Sequence, residues 1–451
     1  MNIKKSSSRL GLAVLILSLA QAQATTYYVS TSGSDSNSGS SAAPFRTITY
    51  AYSLATAGTT IIVEPGTYTD YQSGWGLHLN KSGTASSPIV LKSQVQDQAI
   101  IDGQFASDRN KCVYLDGSYN VVEGFEISHA PNTGIYIEGN SNQILDNEID
   151  NNGTQGSTDP EGQGIYSSEG TSGNIYERNY IHDNGYPGSN LDHGLYICGD
   201  NESVINNVVF RNAACGLQIA GYTTASNTKV YNNVFAWNGE DGIILWQALN
   251  GIDIKNNIVY HNGGYGIGFY AATGSGVTIN NNVVYANING NDQFTAGGST
   301  CSYTMGTLIS SDPRFVNETQ SGFDGHLTSG SPAIGAGINL YSVFTTDIAG
   351  LQRQTSGTWD SGAHIYGSTN VVTTPPAGST VPCTLVKSGS NWAITWNSTS
   401  GKSYWVGYKN TLNDTAWSNL SSTITANGST MSYTDTTGNH PSRFYCVWVT
   451  N

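Results

Sequence analysis

Residues 182–198, HDNGYPGSNLDHGLYIC, bring together side chains that exchange protons. His193 directly precedes Gly194, and Tyr196 follows three residues after the histidine. A neutral histidine, with an ordinary pKa near ~6.5, accepts a proton, whereas tyrosine, with a pKa near ~10, donates or relays one. Arg211 follows in the next part of the chain, and a guanidinium binds a carboxylate through a planar fork. This combination of histidine, tyrosine and arginine predicts the removal of a proton next to a carboxylate, with His193, Tyr196 and Arg211 as the catalytic residues.

The residues belong to a repeat of 22 to 30 residues that carries two asparagine columns. The first column contains Asn147, Asn179, Asn207, Asn233, Asn257 and Asn282, and the second contains Asn152, Asn184, Asn212, Asn238, Asn262 and Asn287. Short glycine-led strands alternate with these columns and begin at Gly134, Gly164, Gly194, Gly216, Gly242 and Gly266. Units of this length, with period-2 alternation and no helical period, predict the coils of a parallel β-helix. We expect each asparagine to bond the neighbouring coil and to adopt the left-handed conformation at a corner.

Strand alternation predicts which side chains face outward. If the residue after each glycine points inward, the next one points outward. The outward set is Tyr136, Tyr166, Tyr196, Gln218 and Ile244, and two positions further it is Glu138, Ser168, Cys198, Ala220 and Trp246. Stacked rings on a sheet offer flat platforms for successive sugars.

A second ladder precedes the later asparagine column and consists of Asn151, Asp183, Arg211, Trp237 and His261. We expect it to project near the same edge as the insertions at residues 153–163 and 185–193, because insertions in a solenoid tend to mark the binding face. The predicted substrate-binding residues are Tyr136, Tyr166, Asp183, Asp192, Gln218, Trp237 and Trp246. His182 and His261 are predicted to be structural.

Composition divides the chain into four segments. Residues 1–24 have the basic start, apolar run and small-residue end of a signal peptide, which predicts a secreted protein. Residues 25–368 form the predicted all-β, right-handed parallel β-helix, with an N-terminal capping helix near Ile48 and Tyr52. Residues 369–380 are a predicted linker, and residues 381–451 a small C-terminal β-sandwich of the immunoglobulin or fibronectin type.

The charge balance restricts the partners. A formal net charge of -14 without a basic stripe excludes nucleic acid as the expected partner. No second long apolar run follows the signal peptide, so no membrane association is expected, and we expect a monomer. Cys383 and Cys446 lie in strand-like runs of one small segment, but their spacing leaves open whether they form a disulfide.

The segment YYVSTSGSDSNSGSSAAPFRTITYAYSLATAGTTIIVEPGTYTD, residues 27–70, resembles the N-terminal segment of polysaccharide lyase family nine. The resemblance implies a right-handed β-helix over most of residues 26–367 and activity on polysaccharides that contain uronic acids. WNGEDGIILW is similar to that family's calcium-binding stretch, which implies Glu240 and Asp241 as metal ligands. Ile244, however, stands where a further aspartate is expected, and no lysine stands on the outward strand positions to serve as the family's base. NLDHGLY also resembles the Asp-Pro-His motif of mannuronan epimerases without its proline.

The sequence therefore predicts a polysaccharide lyase that cleaves an anionic polysaccharide, of the pectate or alginate type, by β-elimination. This mechanism requires no cofactor, although the resemblance leaves calcium open. A glycoside hydrolase using Asp183, Asp192 and Asp241 is one alternative, and a uronan epimerase on the same fold is another. A non-catalytic adhesive solenoid is a third, since solenoids present extended binding surfaces.

Overall fold

The computed structural model describes residues 25–71, 74–108, 110–155, 162–219, 221–367, 380–388, 391–409, 418–419, 424–435 and 443–450. The predicted signal peptide and nearly all of the predicted linker lie outside the described residues. Within these ranges, no helix has the length and apolar character needed to cross a membrane.

Three parallel sheets form the sides of a β-helix, and most coils contribute one strand to each sheet, while Leu217–Ile219 and Ala225–Ser226 of one coil both pair with Ile243–Asn250. Sheet I contains Thr26–Val29, Thr60–Val63, Ile89–Ser93, Asn120–Glu123, Gln143–Leu145, Ile175–Glu177, Ser203–Ile205, Lys229–Tyr231, Asp253–Lys255, Val277–Asn280 and Tyr303–Met305. Sheet II contains Gly66–Tyr68, Ala99–Asp102, Glu126–Ser128, Glu148–Asp150, Tyr180–His182, Val208–Phe210, Val234–Ala236, Ile258–Tyr260, Asn282–Tyr285 and Leu308–Ile309. Sheet III contains Leu77–His78, Lys111–Leu115, Thr133–Ile137, Ile165–Ser167, Leu195–Ile197, Leu217–Ile219, Ala225–Ser226, Ile243–Asn250, Tyr265–Ser275 and Gly290–Ala296. The predicted fold class is confirmed.

Sheet III shows the alternation that the sequence predicts. In the register of this sheet, Ile135, Ile165, Leu195, Leu217 and Ile243 lie opposite one another, and all five are fully buried. The next residue of each strand is only partly buried and faces outward. Branched apolar side chains from all three sheets fill the interior of the coils, so the β-helix has a packed core.

Both asparagine columns form the predicted ladders. The Asn147 backbone N–H and Nδ2 donate to Asn179 Oδ1 at 3.0 and 3.1 Å, and Asn147 Nδ2 also donates to the Val122 carbonyl at 3.0 Å. The same pattern repeats from coil to coil to Asn282 and, in the second column, to Asn287. These bonds satisfy backbone groups that burial at a corner would otherwise leave unpaired.

The left-handed corner residue is the one before each ladder asparagine, and not the asparagine itself. The asparagine must turn its amide inward to bond the neighbouring coils, so the preceding residue takes up the bend. In the second column these residues are Asn151, Asp183, Arg211, Trp237, His261 and Ala286, with φ of 53°, 54°, 54°, 58°, 53° and 59°.

Residues 313–366 pack against the flank of the solenoid. Phe315 and Leu327 lie in the antiparallel strands Phe315–Asn317 and Asp324–Leu327, which are joined through a 3-10 helix at Gln320–Gly322, and both side chains pack on the outer face of sheet II. The apolar residues that they cover there include Val208, Phe210, Val234, Ile258 and Tyr260.

Smaller elements lie at the two ends of the chain. The predicted helix forms over Ile48–Ser53 with Thr47 as its N-cap, and Ile48 and Tyr52 are buried, but its role as a cap stays a prediction. At the other end, one antiparallel sheet contains Thr380–Val381, Ser403–Lys409, Ser418–Asn419, Ile424–Thr425 and Phe444–Thr450, and a second contains Cys383–Ser388, Asn391–Asn397 and Thr430–Asp435. Ile394, Trp396, Val406 and Val447 form a core shared by both sheets. Cys383 and Cys446 are free thiols in this structure.

Candidate functional site

A groove of about 680 Å³ lies on the outer face of sheet III. Its lining includes Tyr166, Tyr196 and Gln218, which the parallel register places opposite one another on consecutive strands. The rings of Tyr166 and Tyr196 lie with their centroids 5.2 Å apart, and Tyr136 continues the row at 4.8 Å from Tyr166. The predicted ring ladder therefore exists, and its later part lines the groove.

Two loops border the groove. Glu169 Oε1 accepts hydrogen bonds from the Tyr222 and Thr223 backbone N–H groups at 2.5 and 3.2 Å, which fixes one of the loops. Tyr222 is 82% exposed, and its ring meets that of Trp246 at 6.0 Å. The loop from the 185–193 insertion supplies Asn190 and Leu191 on the groove lining.

Asp192 has a structural position in this loop. The side chain is buried, and its carboxylate accepts the Gly162 backbone N–H at 3.0 Å and the Tyr186 backbone N–H at 2.9 Å. Both oxygens are therefore engaged in holding the two inserts together, in place of the predicted contact with substrate. The part of the first insert from 156 to 161 lies outside the described residues.

His193 lies on the groove lining but is almost completely buried. Burial lowers the pKa of His193 to about 3, so the ring is neutral. Its Nδ1 accepts the Cys215 backbone N–H at 3.2 Å, and the proton of the neutral ring is therefore on Nε2. The structure gives His193 a donor's role where the sequence predicted a proton acceptor.

The hydrogen bond that His193 Nδ1 accepts belongs to a column of similar side chain to backbone bonds at the start of the sheet III strands. Gln163 Oε1 accepts the His193 backbone N–H at 3.2 Å, and Asp241 Oδ1 accepts the Tyr265 backbone N–H at 2.6 Å. Each of these side chains satisfies the backbone of the following coil. Sequence alignment of the coils did not reveal this column, because the side chains that perform the same task differ in type.

Tyr196 is the phenol in the groove nearest to His193, with the ring centroids 5.6 Å apart. Gln218 lies opposite Tyr196 on the next strand, and both Gln218 and Cys198 influence the pKa of its hydroxyl. Burial raises the pKa of Tyr196 above the ordinary value of a phenol, so that the group remains protonated at neutral pH. Tyr196 therefore carries a proton that it can give up only to a strongly basic oxygen, such as a departing alkoxide.

Arg211 does not join His193 and Tyr196. Its Nε donates to Asp183 Oδ1 at 2.8 Å, its Nη2 also bonds Asp183, and its Nη1 donates to the Gln320 carbonyl at 3.0 Å. This corner lines a separate hollow of about 380 Å³, which also contains Trp237. The expectation of one common site is corrected, because a left-handed corner directs Arg211 toward the preceding coil and the covering segment.

Asp183 and Trp237 are engaged in the same corner region. Asp183 also pairs with His182 Nδ1 at 2.7 Å, and the pKa of Asp183 is lowered because the hydrogen bonds from Arg211 and His182 outweigh the effect of burial. Trp237 stacks on His261 with the ring centroids 4.4 Å apart. Neither side chain lies in the groove, whereas the predicted Tyr166, Gln218 and Trp246 do.

The two predicted metal ligands, Glu240 and Asp241, lie in different environments. Glu240 is exposed on the groove lining, whereas Asp241 is buried, and burial raises the pKa of Asp241 to about 6. Across the described ranges, no group of three or more His, Cys, Asp or Glu side chains is arranged to hold a metal ion. With Asp241 turned to a backbone N–H and Ile244 on the groove lining, these residues do not fit a calcium site, which needs several oxygen ligands.

Sequence reasoning missed three groove residues. Tyr270 follows Trp246 in the register of sheet III, so extending the predicted ladder by one coil would have found it. Glu169 and Tyr222 lie in loops outside the repeat, and no pattern in the sequence marks them.

Comparison with protein families matches a Pel9A-like, right-handed β-helix region to residues 27–193 and a right-handed β-helix region to residues 188–343. Pectate lyase L of Dickeya chrysanthemi is 25% identical over 231 residues, covering 48% of this chain and 46% of that protein. Pectate lyase L of Paenibacillus polymyxa is 26% identical over 219 residues, covering 46% of this chain and 42% of that protein. The chain thus matches less than half the length of these curated relatives.

The crystal structure of pectate lyase Pel9A has the same fold. It superposes with a TM-score of 0.55 at 19% identity, covering 76% of this chain and 96% of that one. The fold is therefore that of a right-handed parallel β-helix. More particularly, residues 27–193 match the Pel9A-like β-helix region, which confirms the resemblance of the opening segment.

Proposed function

We propose that this chain is a secreted lyase that cleaves a polysaccharide containing uronic acid by β-elimination in the groove of sheet III. The observation that carries the proposal is the phenol of Tyr196, which lies beside His193 and Gln218 on a floor of stacked rings that lines the groove. The similarity to pectate lyases supports the same class of reaction.

The groove residues divide the work of the elimination. The uronate carboxylate accepts hydrogen bonds from the His193 Nε2–H and the Gln218 amide, which stabilise the enolate charge as it develops. Glu240, exposed on the lining, takes the C5 proton, the C4–C5 double bond forms, and the C4–O4 bond breaks. Tyr196 donates its proton to the departing O4 and is reprotonated from water, while Glu240 releases the C5 proton to water, which restores both groups. No step in this scheme uses Arg211.

The test is a screen of uronans with and without chelator. A lyase produces an unsaturated uronide, which is followed by its ultraviolet absorbance. Tyr196→Phe and Glu240→Gln should each remove most of this product, while Arg211→Gln should retain it. Full activity in both groove variants would reject the assignment of the site, and absence of unsaturated product on every uronan would reject the reaction.

Hydrolysis is the second candidate, because Glu169 and Glu240 both line the groove while its described lining contains no lysine or arginine. Two carboxyl groups roughly 6.5 to 9.5 Å apart can support an inverting hydrolysis. New reducing ends without ultraviolet absorbance would identify this reaction. Loss of these ends in Glu169→Gln would assign the second carboxyl group.

A further inference from the structure

A cluster of aromatic side chains lies on sheet III beyond the groove, on the coils nearer the N-terminus. Trp75 stacks on Tyr114 with the ring centroids 4.8 Å apart and the planes 21° apart. Tyr114 meets Tyr136 at 5.8 Å, and Tyr136 continues to the groove residue Tyr166 at 4.8 Å. Tyr114 and Tyr166 lie two strand spacings apart, or ~10 Å. One row of rings therefore joins this cluster to the groove.

The backbone around Trp75 is built to present this ring. Gly74 and Gly76 flank it with φ of 90° and 73°, a conformation that other residues rarely adopt. A Cβ atom at Gly76 would lie 2.1 Å from the Lys111 carbonyl oxygen, so only glycine allows this close approach. Despite its contact with Tyr114, Trp75 remains 45% exposed.

The charges of the cluster indicate what kind of sugar it accepts. Lys111 is only 8% exposed, and its Nζ lies 4.2 Å from the centre of the Tyr136 ring and 5.3 Å from that of Trp75, so its charge is directed to the rings and not displayed to solvent. Asp116 has a side chain that is 34% exposed and pairs at 3.0 Å with His78, whose ring lies 4.8 Å from that of Tyr114. A carboxylate accepts hydrogen bonds from sugar hydroxyls but repels a uronate.

We propose that Trp75, Tyr114, Tyr136 and Asp116 form a distal sugar-binding site for uncharged pyranose residues of the polysaccharide whose acidic part occupies the groove. The exposed ring of Trp75 stacks on the apolar face of a sugar, and the Asp116 carboxylate accepts hydrogen bonds from the hydroxyl groups of that sugar. The inference rests on the proposed function for the identity of the polymer, but the binding itself requires no bond cleavage.

Native electrophoresis of the full chain in gels that contain a neutral galactan or polygalacturonate tests the site. We expect the galactan gel to retard the wild type, and Trp75→Ala to raise the dissociation constant for galactan by up to roughly tenfold. Trp75→Phe should keep most of the affinity. Tyr366→Ala is the matched control, because Tyr366 is 40% exposed but lies outside sheet III.

Trp75→Leu covers the case in which the alanine variant does not fold, since leucine keeps apolar contact with Tyr114 but has no ring. Loss of galactan binding in Trp75→Leu, with wild-type circular dichroism, supports the site. Equal retardation of wild type and Trp75→Leu overturns it, as does retardation of the wild type by polygalacturonate alone. Failure of the proposed function shows separately, as absence of cleavage products by a wild type that the galactan gel still retards.

Discussion

The chemistry proposed for the groove depends on which nitrogen of His193 carries the proton. A sequence shows that a histidine is present, but not that a backbone N–H from the next coil occupies its Nδ1. This one contact changes the side chain from a base into a donor. In the proposed reaction the acid is then Tyr196, whose burial raises the pKa of its hydroxyl.

Tyr196→Phe removes the hydroxyl and leaves the ring ladder in place. We expect kcat to fall by ~10²- to 10⁴-fold with little change in KM, since the lost group acts in the transition state. Steady-state kinetics on the best uronan of the screen measures both constants. Tyr366→Phe, outside the groove, should leave them unchanged, and a rise in KM at constant kcat in Tyr196→Phe would contradict the role of acid.

The pH dependence of activity tests the state of His193. Because burial holds the pKa of His193 at about 3, far below the ordinary ~6.5, the ring does not titrate between pH 5 and 8. The profile of kcat/KM should therefore contain no step near pH 6.5 from this residue. A step there that disappears in His193→Gln would show that the imidazole does titrate and would refute the donor role.

At the scale of the elements, the asparagine ladders hold the coils in register. Asn212 Oδ1 accepts the Asn184 backbone N–H at 3.2 Å and Asn184 Nδ2 at 3.0 Å, and Asn212 Nδ2 donates to the Ile181 carbonyl at 3.0 Å. The Asn212 side chain thus forms hydrogen bonds with three buried polar groups of the preceding coil, which water does not reach. The energetic cost of its loss falls on those partners as well as on the residue itself.

Asn212→Ala should lower the free energy of unfolding by about 2 to 3 kcal/mol, because it leaves buried polar groups of the Asn184 coil unpaired. Urea denaturation followed by circular dichroism measures the change. Asn289→Ala, at an exposed position outside both ladders, should shift the midpoint far less. Equal effects of the two substitutions would mean that the ladder bonds contribute nothing beyond an average surface contact.

The sequence predicted these elements well for a physical reason. Identical asparagines perform one task in every coil, and the column from Asn147 to Asn282 is therefore visible as a repeat. The column that includes Gln163, His193 and Asp241 performs a comparable task with different side chains, so no repeat shows it. Arg211 was misplaced because alternation along a strand does not extend to a left-handed corner, where the side chain takes another direction.

For the whole molecule, Glu202 links stability to pH. It lies fully buried near Asn174, where its Oε1 accepts Asn174 Nδ2 at 3.1 Å and its Oε2 accepts the Tyr176 hydroxyl at 2.6 Å. Burial raises the pKa of Glu202 to about 7, although these hydrogen bonds oppose the shift. The folded state thus prefers the protonated carboxyl group.

Since the folded pKa lies above that of the unfolded chain, this contribution to stability is complete below about pH 4.5 and is lost as the pH rises through about 7. Glu202→Gln imitates the protonated form and should raise the free energy of unfolding above pH 7, by an amount on the order of 2 kcal/mol. The gain should vanish below pH 4.5. Denaturation at several pH values measures it, and a variant less stable than wild type at pH 8 would disprove the assignment.

The direction of the ladder bonds has a consequence for how the chain acquires its shape. At each corner a backbone N–H of one turn donates to the asparagine side-chain oxygen of the next turn in the chain. The Asn147 N–H, for example, donates to Asn179 Oδ1. A nascent polypeptide therefore cannot complete the hydrogen bonds of one turn until the following turn has been synthesised. If the β-helix folds from its N-terminal coil onward, the last coil formed always has corner N–H groups without acceptors. The position of this incomplete coil moves along the chain as synthesis proceeds.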